Sequence, residues 1–243
     1  MSNSSLATVT IYSPNCNKPR NHSIDTITIH HMACNLTVEQ CGQGFANPAR
    51  QASSNYGIGT DGRIGLYVDE VNRSWCSSSP ENDHRAITIE VANDQPSDAG
   101  GWHVSDKALA SLINLCADIC KRNGKKKMIW CGTKALTETR TFAADEMRMT
   151  LHKWFAATGC PGPYLEGKMK YIADEVTKRL SGNPKTLTYQ TVKETPIVSI
   201  KGTVPKGKTV KIGGRKTVCG VQYGRIDGTK DDWISLKDCK EIK

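Results

Sequence analysis

Three short segments carry side chains whose types and spacing can do chemistry. They are Ile29-His30-His31-Met32-Ala33, the run Ile87-Thr88-Ile89-Glu90, and the stretch from Leu151-His152-Lys153 to Cys160-Pro161-Gly162. Zinc favours imidazole and thiolate ligands, and a catalytic zinc takes three protein ligands while a fourth position stays open to water. His30, His152 and Cys160 can supply such a set. A His followed eight residues later by Cys-Pro-Gly lets the intervening loop fold both side chains onto one ion, although that pair alone does not establish a metal site. Cys116 and Cys120, four apart, could also hold a metal, but they share an apolar helix face with Leu112 and Ile113 and read better as buried thiols.

These residues need elements to hold them. Thr26 to Ala33 reads as a strand with Ile27 and Ile29 on one face and His30 on the other. Asn55 to Asp69 reads as a hairpin turning at Thr60-Asp61-Gly62-Arg63. Ala86 to Asn93 alternates again, with Ile87, Ile89 and Val91 opposite Thr88 and Glu90. Leu109, Leu112, Ile113, Cys116, Ile119 and Cys120 mark an amphipathic helix between the N-cap Ser105 and the stop Gly124. A strand over Lys127 to Cys131, a helix over about Phe142 to Met149 and a helix over Leu165 to Leu180 complete the pattern. The expected fold is α/β, a mixed central sheet flanked by helices. Ser181-Gly182-Asn183-Pro184-Lys185 stops the last helix, which predicts domains at 1–180 and 187–243 joined by a linker at 181–186. Beyond it, short strand-like runs (Leu187 to Lys193, Thr209 to Ile212, Thr217 to Ile226, Asp232 to Leu236) separated by Gly/Lys/Asp turns predict a small β-barrel.

The ordered landmarks together resemble the zinc-dependent N-acetylmuramoyl-L-alanine amidases of the peptidoglycan recognition protein family, bacteriophage endolysins in particular. Those landmarks are Ile-x-Ile-His-His, Asn55-Tyr56 ahead of a Gly-Asp-Gly hairpin, Ile-Thr-Ile-Glu, and His152 with Cys160-Pro161-Gly162, spanning about residues 20–180. The resemblance implies one zinc ion on His30, His152 and Cys160. The alternation supports His30 over His31, because His31 falls on the isoleucine face, where it reads as a packed imidazole or a contact to substrate. The resemblance further implies Glu90 as general base, a position that by residue type alone reads as an exposed strand carboxylate. Tyr56 matches a family tyrosine near the zinc, where a hydroxyl orients water or donates to the oxyanion; otherwise it is a half-buried strand aromatic. Some viral members carry Lys two positions before the zinc Cys, whereas this chain has Thr158, a hydrogen-bond donor without charge. Asn82, His84 and Arg85, just before the Glu90 strand, are expected to line the substrate groove, with Arg85 on a peptide carboxylate. The tail resembles a bacterial SH3-like wall-binding domain, through its length, its Gly/Lys turns and its ending Asp232-Trp233-Ile234-Ser235-Leu236.

Composition bounds the function class. A 37% hydrophobic content excludes disorder, and there is no run of about 18 apolar residues and no export-signal pattern at the N-terminus. Synthesis in the bacterial cytoplasm, with release in phage or prophage lysis and no membrane insertion, is therefore expected. Ten cysteines in a chain of this length read as mostly reduced thiols, with pairing of Cys34 and Cys41 left open. Net charge is +9, of which residues 184–243 hold +7 from 13 Lys+Arg against 6 Asp+Glu. A basic tail suits an anionic polymer. Tyr189, Tyr223 and Trp233 are too scattered for a nucleic-acid stacking platform, so peptidoglycan and anionic wall polymers are the expected partners. The competing expectation is a peptidoglycan receptor without catalysis, as in family members that lose the metal.

Overall fold

The computed structural model describes residues 2–181, 187–191, 195–196, 203–204, 206–218, 221–227 and 233–242. The chain forms two compact units, Met1–Ser181 and Gly182–Lys243. Residues 182–186 of the expected linker, and Lys193 and Asp232 of the expected barrel strands, lie outside the described residues.

The first unit is built on a seven-stranded mixed sheet. Its strands are β1 (Val9–Thr10), β2 (Thr26–His31), β3 (Tyr56–Ile58), β4 (Ile64–Leu66), β5 (Ala86–Val91), β6 (Lys127–Ile129) and β7 (Glu146–Leu151), in the spatial order β1-β4-β3-β5-β2-β7-β6. The central strands β3, β5, β2, β7 and β6 run parallel, and β3 pairs with β4 antiparallel as the expected hairpin.

Strict alternation assigns the two faces. Ile27, Ile29, Ile87, Ile89, Met147 and Met149 are all fully buried. The helices of this unit are α1 (Val38–Ala46), α2 (Pro80–Arg85), α3 (Asp106–Arg122), α4 (Lys134–Thr139) and α5 (Gly162–Leu180). The isoleucines and methionines pack with α3 and α5, whose inward residues Leu112, Cys116, Ile119, Met169 and Ile172 are equally inaccessible. Each such aliphatic side chain contributes about 1.5–3 kcal/mol by leaving water. Ser105 caps α3 by accepting from the Ala108 amide, and Gly124 follows it in a left-handed conformation at φ +68°. Cys116 and Cys120 are core thiols, as their helix spacing implied.

The opposite face carries α1 (Val38–Ala46), opened by a Thr37/Gln40 capping box, and a smaller cluster of Cys41, Phe45 and Tyr67. The Tyr67 ring lies flat over Gly57 and Gly65, where a Cβ would fall 2.5 and 2.7 Å from its hydroxyl oxygen. Only glycine admits the ring at these two positions.

The helix expected over Phe142 to Met149 is instead the parallel strand β7, inserted between β2 and β6. Met147, Met149 and Leu151 alternate with Arg148 and Thr150, and burying that period-two set outweighs the helical preference of Met, Glu and Ala. The strand from Lys127 ends at Ile129, since Trp130 turns out to stack on Trp154 at 5.4 Å.

In the second unit, β8 (Leu187–Thr191), β9 (Thr209–Val218), β10 (Val221–Ile226), β11 (Trp233–Ser235) and β12 (Cys239–Ile242) form an antiparallel sheet in the order β11-β10-β9-β8-β12. Ile212, Ile234 and Leu236 make its small buried cluster. The strand expected over Thr209 to Ile212 runs on to Val218, and the strand expected over Thr217 to Ile226 is Val221–Ile226.

Candidate metal centre

Thr28-x-His30, Thr88-x-Glu90 and Thr150-x-His152 occupy three adjacent parallel strands and their C-terminal continuations. Parallel pairing aligns them: Thr28 sits opposite both Thr88 and Thr150, and His30 opposite Glu90. The threonines form a row across the polar face, and the functional residues form a second row two positions on, at the C-terminal strand ends where open α/β sheets place ligands. His152 stands just past β7, in a one-turn helix over His152–Trp154.

Cys160 completes the convergence. Ligand atoms of His30, His152 and Cys160 all lie within 4.8 Å of one another. His30 Nδ1 is 3.5 Å from Cys160 Sγ, and the His30 and His152 ring centres are 4.9 Å apart. The donor set of two imidazoles and a thiol suits zinc. Burial, reinforced by His152 and His31, holds His30 well below its ordinary pKa, and burial also lowers His152. Both rings are therefore neutral near pH 7 and available as ligands. Burial raises the Cys160 thiol, with the nearby Glu90 adding to the effect, so metal binding must displace its proton.

Glu90 belongs to the same cavity of about 480 Å³ that His152, Thr158 and Cys160 line. Its Oε2 is buried without a hydrogen-bond partner, while Oε1 faces Cys76 Sγ at 3.8 Å. Burial pushes its pKa up to about 8. Thr158 stands on the rim, its hydroxyl accepting from the Cys160 amide at 3.2 Å and keeping its own hydrogen for a ligand. His31 lines the cavity too, edge-on to Trp102 at 5.2 Å, with Nδ1 buried and unpartnered. Gly162, at φ +82°, makes room for it: a Cβ there would sit 3.1 Å from His31 Nδ1.

A family model described as N-acetylmuramoyl-L-alanine amidase matches residues 20–163, well over half of the chain. The chain belongs to the N-acetylmuramoyl-L-alanine amidase family. The matched span contains His30, Glu90, His152 and Cys160. Comparison with curated proteins returned no match. Among solved structures, the N-acetylmuramoyl-L-alanine amidase LysC from Clostridium intestinale URNW is similar at 19% identity and a TM-score of 0.44, over 67% of this chain and 95% of that one. An AmpD derivative is similar at 15% identity and a TM-score of 0.48, over 70% and 96%. A mutant of Drosophila PGRP-LB in complex with tracheal cytotoxin is similar at 16% and 0.45, over 66% and 88%. The family assignment rests on the sequence match.

In this amidase-family chain several expected site residues stand elsewhere. Tyr56 pairs with Ile89, not Glu90, and so falls on the isoleucine face of the sheet. Its hydroxyl donates to Glu70 Oε1 at 2.6 Å and accepts from the Ser4 amide at 2.8 Å, in a buried network closed by Arg122. It has no access to the cavity. Asn82 is buried beneath the metal residues, where Nδ2 donates to Thr28 and Ser77 and Oδ1 accepts from Thr150. It supports the threonine row and is not among the residues that line this cavity. His84 accepts from the Asn21 amide, and Arg85 pairs with Asp25; neither lines the cavity.

A segment that carried no sequence signal brackets the site. Cys76 approaches Glu90, the Ser77 hydroxyl lies 3.3 Å from His30 Nε2, and the Ser78 hydroxyl lies 3.5 Å from His152 Nε2. Three successive residues thus follow the strand order β5-β2-β7. The buried Asp83 carboxylate accepts from the Cys76 and Ser77 amides and anchors this segment. Cys76 also forms a second metal-capable group with His30 and Glu90. That group would share His30 with the first and take Glu90 as a ligand. Cys34 is exposed, Cys41 buried, and both are free thiols.

Proposed function

We propose that the chain is a peptidoglycan hydrolase that cleaves the amide between N-acetylmuramic acid and L-alanine, with one zinc ion held by His30, His152 and Cys160. The observation that carries this is the convergence of those three ligand atoms within 4.8 Å, beside a carboxylate with an unpartnered oxygen on His30's register partner. An intact ligand set and a free base support an enzyme over a receptor.

When bound, the metal supplies a Lewis acid that polarises the scissile carbonyl and makes water nucleophilic near neutral pH. The Glu90 carboxylate takes the proton from the attacking water, and its raised proton affinity matches that task near pH 7–8. It then returns the proton to the departing L-alanine amine. Thr158 donates its hydroxyl hydrogen to the oxygen that gains charge. Ser77, itself bonded by Asn82, holds His30 through Nε2 and leaves Nδ1 facing Cys160. Tyr67 packs over Gly57, the register partner of Glu90.

We assign the second unit, a small antiparallel sheet with a basic surplus, to an SH3-like wall-binding domain. Action on the wall after phage or prophage lysis completes the proposal. Digestion of purified walls, followed by mass spectrometry, tests it: free stem peptides with N-terminal alanine are expected, and new reducing ends or internally cut peptides would refute it.

A further inference from the structure

We infer that Cys76 and Glu90 form a second, weaker site for a thiol-seeking divalent cation of the zinc class, and that an ion bound there inhibits the chain; the inhibition rests on the amidase reading above, in which Glu90 is the base.

Cys76 Sγ lies 3.8 Å from Glu90 Oε1. A tetrahedral zinc ion, with bonds of about 2.3 Å to sulfur and about 2.0 Å to oxygen, holds two such ligand atoms about 3.5 Å apart. The pair therefore stands close to the separation of metal ligands before any ion arrives. Glu90 Oε2 adds a buried acceptor without a hydrogen-bond partner. Both side chains line the cavity of about 480 Å³ that also holds His152 and Cys160, which leaves room for water to complete the coordination. His30 belongs to both ligand groups, but its Nδ1 faces Cys160 at 3.5 Å and its Nε2 lies 3.3 Å from the Ser77 hydroxyl. The ring is committed to the first ion, so the second takes the thiolate and the carboxylate.

The fold pins both ligands. Ser53 and Trp75 exchange two hydrogen bonds immediately before Cys76, and the Asp83 carboxylate accepts from the Cys76 and Ser77 amides. Glu90 is held by strand pairing on both sides, with β2 and with β3. Ligands already in place lose little entropy when they bind. The thiolate selects zinc-like ions over magnesium and calcium, which favour oxygen. Binding here is weaker than at the first site, because the protein supplies two ligands instead of three and Cys76 must release its proton. Gel filtration in metal-free buffer therefore strips the second ion and leaves the first. An ion on Glu90 occupies the carboxylate that would accept the proton from water, so its binding stops the reaction.

The test uses the full chain carrying one equivalent of zinc and titrates it with zinc chloride. Calorimetry should show a second, weaker event in the wild type. Cys76→Ala should lose that event and keep the first, and Cys76→Ser, with a poorer ligand, should weaken it by about 10-fold or more. Cobalt(II) adds a spectroscopic readout: thiolate-to-cobalt absorption should keep rising past one equivalent in the wild type and stop at one in Cys76→Ala. Wild-type turnover of a soluble muropeptide should fall about 10-fold when free zinc reaches about ten times the Kd of the second event. Cys76→Ala, compared with its own rate at one equivalent, should keep that rate, and magnesium should inhibit neither protein. Absence of a second event, its persistence in Cys76→Ala, or a Cys76-dependent ion that leaves turnover unchanged would overturn the inference. A Cys76-dependent second ion in a chain that cleaves no muropeptide at any metal level would sustain the site and remove the amidase reading instead.

Discussion

His30 and Glu90 face each other across the parallel strands β2 and β5, each two residues beyond a buried threonine that is likewise paired with its counterpart. The imidazole proposed to hold the metal and the carboxylate proposed to move the proton are therefore set by one backbone register. A slip of one residue between the two strands would put them on opposite faces of the sheet.

Metal content is the first consequence. The protein should bind one zinc ion, and the combined His152→Ala, Cys160→Ser variant should bind none under the same conditions. Elemental analysis after gel filtration measures this. Equal zinc in both proteins would remove the ligand assignment.

Glu90→Gln keeps the shape of the side chain and removes the base. Wall hydrolysis should fall by roughly 100-fold or more while zinc stays bound. The pH dependence of stability has a definite sign. The folded pKa of about 8 lies above the ordinary 4.5, so the metal-free native state binds more protons than the unfolded chain between those values. Wild-type stability should therefore decline relative to Glu90→Gln as pH rises from about 5 to 8, and the gap should then stay constant. Thermal melts of the metal-free proteins across that range check it.

Asn82 ties Thr28, Thr150 and Ser77 together under the metal residues. Asn82→Ala should cost about 1–3 kcal/mol by orphaning those hydroxyls, lowering Tm by roughly 3–10 °C. Zinc affinity should fall with it, because Ser77 loses the bond that fixes it against His30. A variant with wild-type Tm and zinc Kd would dissolve that link.

Tyr56→Phe should leave turnover intact, because the hydroxyl lies behind the sheet with Glu70 and Ser4. The expected effect is a loss of about 1–2 kcal/mol in unfolding free energy. Denaturant titration alongside a turnover assay separates the two. A large drop in kcat at unchanged stability would return Tyr56 to the reaction.

Ending the chain after Asn183 keeps every proposed ligand and Glu90. Turnover of soluble muropeptides should hold, and activity on intact walls should fall, since tethering raises the local substrate concentration. Lysis assays at matched enzyme concentrations measure the difference.

Much of this protein can be read from local pattern. Period-two alternation in β2 and β5 assigns Ile27, Ile29, Ile87 and Ile89 to the core and sets His30 and Glu90 opposite them, because side chains of a strand must alternate. The 3.6-residue spacing of α3 and its Ser105 cap work in the same local way. Strand β7 was harder to read, since its Met/Glu/Ala-rich approach favours helix and one of its two partners, β2, lies more than a hundred residues away in sequence. The repeat Thr-x-His, Thr-x-Glu, Thr-x-His was present in the sequence, but it gains meaning only when three strands stand side by side.

What the sequence determined by itself is the chemistry: two imidazoles, a thiol and a carboxylate, in an order that marks the family. Tertiary structure alone decided which neighbours surround them. The resemblance put Tyr56 near the zinc, yet the pairing of Tyr56 with Ile89 sends it through the sheet to Glu70. Cys76, Ser77 and Ser78 carried no motif, yet Asp83 folds them along the row of site residues. Alternation and capping act between residues a few positions apart, whereas facing across a sheet and lining a cavity depend on contacts between segments distant in the chain, which no local pattern encodes.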